Sequence, residues 1–445
     1  PDAMRLLGAV DFAGADYRTH FALQQGKGTV NGRAVVNLNT ENYSAQIDVQ
    51  QFELAQFLKG QPLGPLTGKL GVEGRGFNAD AARANLRATA EVREGRYDRF
   101  SLGGIGLSAA LRGGHAVVDF KARNPLIDGE GRITAELNRR YAAQMDVRLA
   151  RVDLRGLGVI EDTLSLGGNF RGTVESSQDF RHMAARGELR NLCFVAPSRL
   201  LIAQDVLLDL ASRPDSTFAH IHSGDLKLDF AARSGWQGLA DRGAKIAKMA
   251  MRQLEHRDID QALLKRELPD ATLQLEAGQE NLLARYLRYK KYGVNSIALN
   301  VTSNATQGLN GFMRIGKLQA EGLVIDTIQA TITHGEEGLK FAATVENRKT
   351  ENPNPFLATL HGHLLRAGAA ADIAFQDANG RLGLRLGAQV EMEDGGTRLH
   401  LNADTAVVAY RNFSVNADNY LFVSNDRRVR ANIKLLADDG TGLQI

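Results

Sequence analysis

Arg381 to Val407 reads RLGLRLGAQVEMEDGGTRLHLNADTAV, and the parity of its residues decides the fold. Leu382, Leu384, Leu386, Ala388, Val390 and Met392 share one parity. Arg381, Arg385, Gln389 and Glu391 share the other, with Gly383 and Gly387 between them. Successive side chains of a strand point to opposite faces, so this alternation predicts a strand with one apolar and one polar face. From Arg381 to Met392 it runs for 12 residues, roughly 40 Å against a usual strand of about 5–6 residues. After a turn at Glu393–Gly396 the pattern resumes with Leu399, Leu401 and Ala403.

Working outward, GKLQAEGLVIDTIQATITH (Gly316–His334) and DLKLDFAARS (Asp225–Ser234) alternate in the same way and then meet Gly, Asn or Asp. RAGAAADIAF, DANGRLGLRL and EDGGTRLHL read as strand–turn–strand joints. Glycine is abundant, at 46 residues, and proline scarce, at 9, so the ladders keep their amide donors. The expectation is a series of antiparallel meanders laid side by side.

Ser234 to Tyr292 departs from this pattern. Ser234-Gly-Trp-Gln237 has the form of a capping box, and Leu239, Ala240, Ala244, Ile246, Ala247, Ala250, Met251 and Leu254 follow at helical spacing. Arg242, Lys245, Lys248 and Arg252 fill the positions between them. A second helix is expected over about Ile259–Leu268, stopped by Pro269, and a third over about Glu280–Lys290 with cations at its C-terminal end. The expected organisation is β units over 1–233, a helical insert with one short strand over 234–292, and further β units over 293–445.

One unit is written more than once. GRAVVNLNTENYSAQIDV (Gly32–Val49) returns as GRITAELNRRYAAQMDV (Gly131–Val147) with one residue dropped. Tyr43, Ala45, Gln46, Asp48 and Val49 match Tyr141, Ala143, Gln144, Asp146 and Val147 at a spacing of 98, which also carries Leu66 and Gly74 onto Leu164 and Gly172. A looser copy begins at Ala271, with Leu273 and Leu275 in the places of Ile47 and Val49. YDRFSL (Tyr97–Leu102) echoes YRNFSV (Tyr410–Val415). A fixed period of this kind marks repeat architectures.

Composition narrows the function. The 445 residues carry 54 Lys and Arg against 51 Asp and Glu, a net charge of +3 that gives no electrostatic footprint for nucleic acid. Aromatics at 6% with one Trp also argue against base stacking. The single cysteine, Cys193, lies in the apolar string NLCFV and reads as a buried thiol. His220/His222 and His361/His363 each place two imidazoles on one strand face, with no carboxylate or thiol nearby in sequence to complete a metal set. No G-x-S-x-G, P-loop or H-E-x-x-H occurs, and the glycines around Gly103–Gly114 precede no helical pattern. No enzymatic activity, cofactor or metal is expected. No apolar run approaches the ~18–20 residues of a membrane span, and PDAMRLLGAV is no signal peptide. The chain opens without Met in strand sequence, which reads as a segment of something longer.

A long repeated sheet with one apolar face must cover that face, close on itself, or curl around something apolar. Faces made mainly of Leu, Ile, Val and Ala suit a smooth-walled groove for acyl chains, and a modest sandwich core would accept them too. Glycine-punctuated strands (LTGKLGVEGRG, LSLGGNFRGTV), the Leu/Phe-rich links FELAQFLKGQPLGPLTG and LARVDLRGLGVIEDTLSLGG, the paired-strand look of KLQAEGLVIDTIQATI and the period near 100 residues together resemble the AsmA-like superfamily, most closely its TamB branch. The helical insert is longer than a typical link of that family.

The resemblance implies a mostly β, elongated, taco-like antiparallel β-groove, in the periplasm of a diderm bacterium and anchored in the inner membrane by a segment outside this chain. It implies phospholipid carriage between membranes and a role in outer-membrane biogenesis. The implied partners are phospholipid acyl chains and an Omp85-type outer-membrane barrel met through another region. The groove wall expected here is Leu382, Leu384, Leu386, Val390, Met392, Leu399 and Leu401, with Leu318, Ile325 and Ile332. Trp236, Arg242, Lys245, Ile246, Lys248 and Arg252 would form a helix that caps the groove or faces a membrane. Two other readings stay open: an assembly factor whose sheet edge templates outer-membrane strands, and a repeat adhesin or carbohydrate-binding scaffold, which the low aromatic content disfavours.

Overall fold

The computed structural model describes residues 4–53, 63–77, 85–138, 140–197, 199–336, 338–347, 355–402 and 406–445. It is 67% strand and 8% helix. Thirty-two strands belong to antiparallel sheet, while Arg96–Tyr97 and Phe100–Ser101 form a small hairpin of their own. The fold is therefore mostly β, repeated and antiparallel, with a short helical insert.

The chain forms two compact units, Pro1–Ala211 and Ser212–Ile445. The helices lie within the second and do not open a new sheet. Strand Leu226–Ala232 pairs with Ala271–Ala277, and that strand with Ser296–Asn304, so the ladder continues past both helical segments.

Tight turns set the register. Gly113 and Gly114, at φ +58° and +83°, join Ile105–Arg112 to His115–Arg123. Glu321 and Gly322, at +48° and +86°, join Gly308–Ala320 to Leu323–Gly335. Two consecutive left-handed residues make the type I′ turn, whose twist matches the strands it connects. In each hairpin a residue opposes the one three further on, so like faces meet across the turn.

The fully buried side chains of the first unit gather at one end of its strands. Phe52, Leu164 and Leu192 are each 2% exposed, with Ala122 and Phe194 buried beside them in the chain's core. Register shifts fall at the same end, between Val49 and Phe52, Asp128 and Gly129, Leu149 and Val152, and Gly167 and Asn169. A bulge adds an unpaired residue and bends its strand. The left-handed Gln51 and Asn191 donate their freed N–H groups to Thr67 Oγ1 (3.1 Å) and Asp205 Oδ1 (3.0 Å), so the backbone stays satisfied. Most of the link FELAQFLKGQPLGPLTG, residues 54–62, lies outside the described residues. Cys193, expected to be buried, is half-buried opposite Gly167.

Three helices follow: α1 (Trp236–Glu255), α2 (Gln261–Glu267) and α3 (Leu282–Tyr289). The capping box at Ser234 does not form. Gly235 is the N-cap of α1, with no side-chain cap, and Ser234 Oγ donates to the Gly235 carbonyl at 3.4 Å. The physical reason is a turn in which Gly235 N donates to Pro214 O (3.1 Å); it brings Ser212 under the helix start, where its hydroxyl accepts from Trp236 N at 2.9 Å. Asp260 caps α2 through Leu263 N (2.8 Å), and the fully buried Asn281 caps α3 through Ala284 N (2.8 Å).

Asp225 ties α3 to the sheet. Sitting in the turn before Leu226, it accepts from Glu280 N (3.0 Å) and Asn281 Nδ2 (2.6 Å). Desolvation pushes its carboxyl up, but the Glu280 amide, the Asn281 side chain and the Gly278 and Gln279 amides outweigh that and hold it below the ordinary carboxylate range.

Candidate functional site

The repeat and the turn-fixed register align apolar residues across many strands. In the first unit Gly8, Phe21, Gly32, Ile47, Leu70, Ala90, Leu107, Phe120, Gly131, Val147, Phe170 and Leu189 oppose one another in sequence across twelve strands. A second row two residues along runs Val10, Thr19, Ala34, Ala45, Val72, Ala88, Ala109, Val118, Ile133, Met145, Gly172 and Gly187. Both copies of the repeat contribute to these rows, Ala45 and Ile47 from one and Met145 and Val147 from the other; since Ile47 corresponds to Met145, the second copy enters them two residues further along.

The row between them points to the opposite face and is polar. It ends in Ser108, Asp119, Arg132, Asp146, Arg171 and Glu188, opposed in that order. Arg132 grips Asp119 with two bonds, Nε to Oδ1 at 2.6 Å and Nη2 to Oδ2 at 3.2 Å, and Arg171 Nε donates to Asp146 Oδ2 at 2.9 Å. The Arg132 contact holds the Asp119 carboxyl below its usual range. These pairs are exposed, so they wet the face more than they stabilise the fold.

The second unit repeats the arrangement with bulkier side chains. Ile221, Leu228, Leu275, Leu299, Met313, Ala330, Ala343, Leu360, Ile373 and Leu386 form one unbroken row over ten strands. Beside it run Ala219, Phe230, Leu273, Val301, Gly311, Ile332, Phe341, Gly362, Ala371, Ala388 and Leu401. The intervening row begins His220, Asp229, Gln274 and Asn300 on the other face.

No side chain in these apolar rows is fully buried. Most are half-buried, while Val10, Leu70, Leu107 and Ile373 are exposed at 61%, 40%, 43% and 38%. A second sheet packed about 10 Å away would take their central positions to complete burial. What the arrangement offers chemically is a broad, mostly hydrocarbon strip, in which the Thr19 hydroxyl is satisfied by donating to Ala9 O at 3.2 Å.

The expected wall residues divide. Leu384, Leu386 and Val390 share a face with Leu399 and Leu401, because Val390 opposes Leu399 and Ala388 opposes Leu401. Met392, opposite Thr397, keeps their parity. Ile332 belongs to the same face, in one row with Leu401. Leu382 leaves the face: a register shift near Gly383 pairs it with Gln376, whereas Leu384 pairs with Phe375. Leu318 opposes Ile325, and Ile325 stands seven residues from Ile332, an odd interval that assigns the two isoleucines to opposite faces. Ala403, counted in the original pattern, lies outside the described residues. Single-strand alternation missed Leu228, Leu275, Leu299, Phe341 and Leu360. The lengths of the two-residue turns carried the information that would have found them.

Helix α1 has its main packing partner in another helix. It packs on α2 and bonds it through Lys245 Nζ to Glu267 Oε1 at 2.8 Å. Helix α2 is fixed to the turn ends of the strands: Gln261 Oε1 accepts from Leu339 N (2.8 Å) and its Nε2 donates to Leu364 O (3.0 Å). Just before it, Asp258 takes both bonds of Arg366, at 2.6 and 3.0 Å. Of the expected helix residues, Ile246 is half-buried and Trp236, Arg242, Lys245, Lys248 and Arg252 are exposed.

Cavities border these rows, one of about 1010 Å³ lying among Gly8, Phe21, Gly32, Ile47 and Leu70 of the first row and His20, Arg33 and Gln46 of the polar row. Another of about 500 Å³ lies beside the end of α3 among Arg288, Lys291, Tyr292, Gln319 and Glu321. His220 Nδ1 contacts Asp229 Oδ1, and among the described residues no group of three His, Cys, Asp or Glu is placed to hold a metal. No described helix is long and apolar enough to cross a membrane. No protein-family model, no curated protein and no solved structure matches the chain.

Proposed function

We propose that this chain is a lipid-carrying β-groove: its apolar rows bind phospholipid acyl chains and pass them along the sheet, between the inner and outer membranes of a diderm envelope. The observation that carries the reading is the pair of unbroken apolar rows in each unit, left without a buried core. A lipid methylene taken from water is worth about 0.8 kcal/mol, so each strand crossed by a chain adds affinity without a specific contact. Uniform contact of this kind favours movement, because no position traps the lipid. The resemblance to the AsmA-like superfamily supports the periplasmic setting and a barrel partner in the outer membrane, with outer-membrane biogenesis as the process served.

Native mass spectrometry with lipid extraction, on protein purified without detergent, tests the proposal. Phospholipid should co-purify with the wild type and be lost from Leu384→Asp/Leu401→Asp while the circular dichroism stays unchanged. A folded, monodisperse wild type free of lipid would refute the groove.

A further inference from the structure

The apolar face of the second unit changes character toward one end of its strands. Along Leu323–Gly335, Ile332, Ala330, Ile328, Asp326 and Val324 share that face. The first three are hydrocarbon, and then a carboxylate enters. On the facing strand Met313 and Ile315 give way to the left-handed Lys317, at φ +48°, and to Gln319, which opposes Val324. The cavity of about 500 Å³ opens here, bordered by Gln319 and Val324 and by the end of α3. Val324 stands six residues, roughly 20 Å, along the strand from Ala330 of the apolar row. Hydrocarbon and a polar cavity thus meet on one face, as the two halves of an amphiphile require.

The lining carries three charges, Arg288, Lys291 and Glu321. Arg288 is engaged: it donates to Gln279 O and lies 3.6 Å from Glu280 Oε1, whose other oxygen accepts from Arg285 at 2.9 Å. Lys291 and Glu321 are not. Tyr292 opposes Ala320, so these two are the next residues out on either side, both left-handed at φ +64° and +48°. They face one cavity with opposite sign, yet among the described residues neither side chain bonds the other or any further group. Tyr292 and Gln319 add a hydroxyl and an amide to the same lining. An unpaired ammonium and an unpaired carboxylate together match a ligand that carries both signs, a phosphodiester accepting from Lys291 and an ammonium donating to Glu321.

We infer that this cavity is a headgroup site for a zwitterionic phosphodiester of the ethanolamine type, with the phosphate toward Lys291 and the ammonium toward Glu321. Recognition of the headgroup stands on the cavity. That the attached chains lie on the apolar rows rests on the groove proposed above.

The whole chain is titrated with four ligands, and binding is read from phosphorus NMR linewidths. Glycerophosphoethanolamine has the headgroup without tails, dihexanoyl phosphatidylethanolamine adds short tails, dihexanoyl phosphatidylglycerol lacks the ammonium, and inorganic phosphate is the bare anion. Both ethanolamine ligands should bind, the tailed one more tightly, and the other two at least tenfold more weakly than the tailed one. Lys291→Gln, at an exposed position, should weaken both ethanolamine ligands at least tenfold. Glu321→Lys, also exposed, should reverse the preference toward phosphatidylglycerol. Ile328→Asn should remove the gain from tails and leave glycerophosphoethanolamine binding unchanged. Equal affinity of the two ethanolamine ligands for the wild type would uphold the headgroup site and refute the groove, so the two failures are separately visible. No binding of glycerophosphoethanolamine, binding of inorganic phosphate equal to it, or wild-type binding by Lys291→Gln would overturn the inference.

Discussion

The strand ends and the sheet faces of the first unit divide the work that one core usually does. Phe52, Leu164 and Leu192 at the ends are almost completely buried, whereas Ile47, Ala90 and Val147 along the face are half-exposed. The register shifts fall at the buried end, where bulges bend the strands. Burial is therefore concentrated at the ends, and the face is left half-exposed.

The sharpest way to break that division is to truncate one residue of each kind. Leu164→Ala should cost about 2–5 kcal/mol, the range for a fully buried leucine, and lower the melting temperature clearly. Leu299→Ala, on a half-buried row, should cost about 1 kcal/mol by area while reducing bound lipid. Equal thermal shifts from the two variants would mean that the face is a core after all.

Between these lies a packing device of the face itself. Phe21 lies over Gly32, Phe120 over Gly131 and Phe341 over Gly362; an added Cβ would sit 2.2, 2.6 and 2.4 Å from the rings. The aromatic covers the gap that its cross-strand glycine leaves. Gly32→Val should thus cost about 1–3 kcal/mol through overpacking, measured as a drop in denaturation midpoint. A neutral result would show that the ring is not held there.

A smaller effect concerns pH. Because the folded-state pKa of Asp225 is lowered from 3.8, its contribution is present above about pH 4 and is lost as pH falls through the folded value. Asp225→Asn should lose the acid sensitivity of the α3 region in hydrogen exchange, and an unchanged profile would contradict the anchor. Least of all, Arg132→Ala should leave the melting temperature unmoved, since its pair with Asp119 is exposed.

Much of this was legible in the chain. Alternation alone specified the strand Leu382–Glu393, and the 98-residue spacing correctly put Tyr43 and Tyr141 into equivalent strands, where each ring meets a phenylalanine from beyond the next strand: Phe77 at 6.2 Å and Phe180 at 5.9 Å. What alternation could not carry was phase. The irregularity near Gly383 costs no more than one residue, yet it removes Leu382 from the face. Ile325 and Ile332 look alike in sequence and differ only by an odd interval. The cap of α1 was misplaced because Ser212, distant along the chain, reaches the helix start before Ser234 does. The helical periodicity of α1 was readable, but that α2 packs on it was not.

The most direct test of the account is a parity scan with a photo-crosslinking amino acid at Ile297 through Thr302, in cells labelled with phospholipid. Ile297, Leu299 and Val301 face the apolar rows, and Ala298, Asn300 and Thr302 face away. Lipid adducts are expected at the first three positions and none at the others. Adducts without alternation, or none at any position, would contradict the groove.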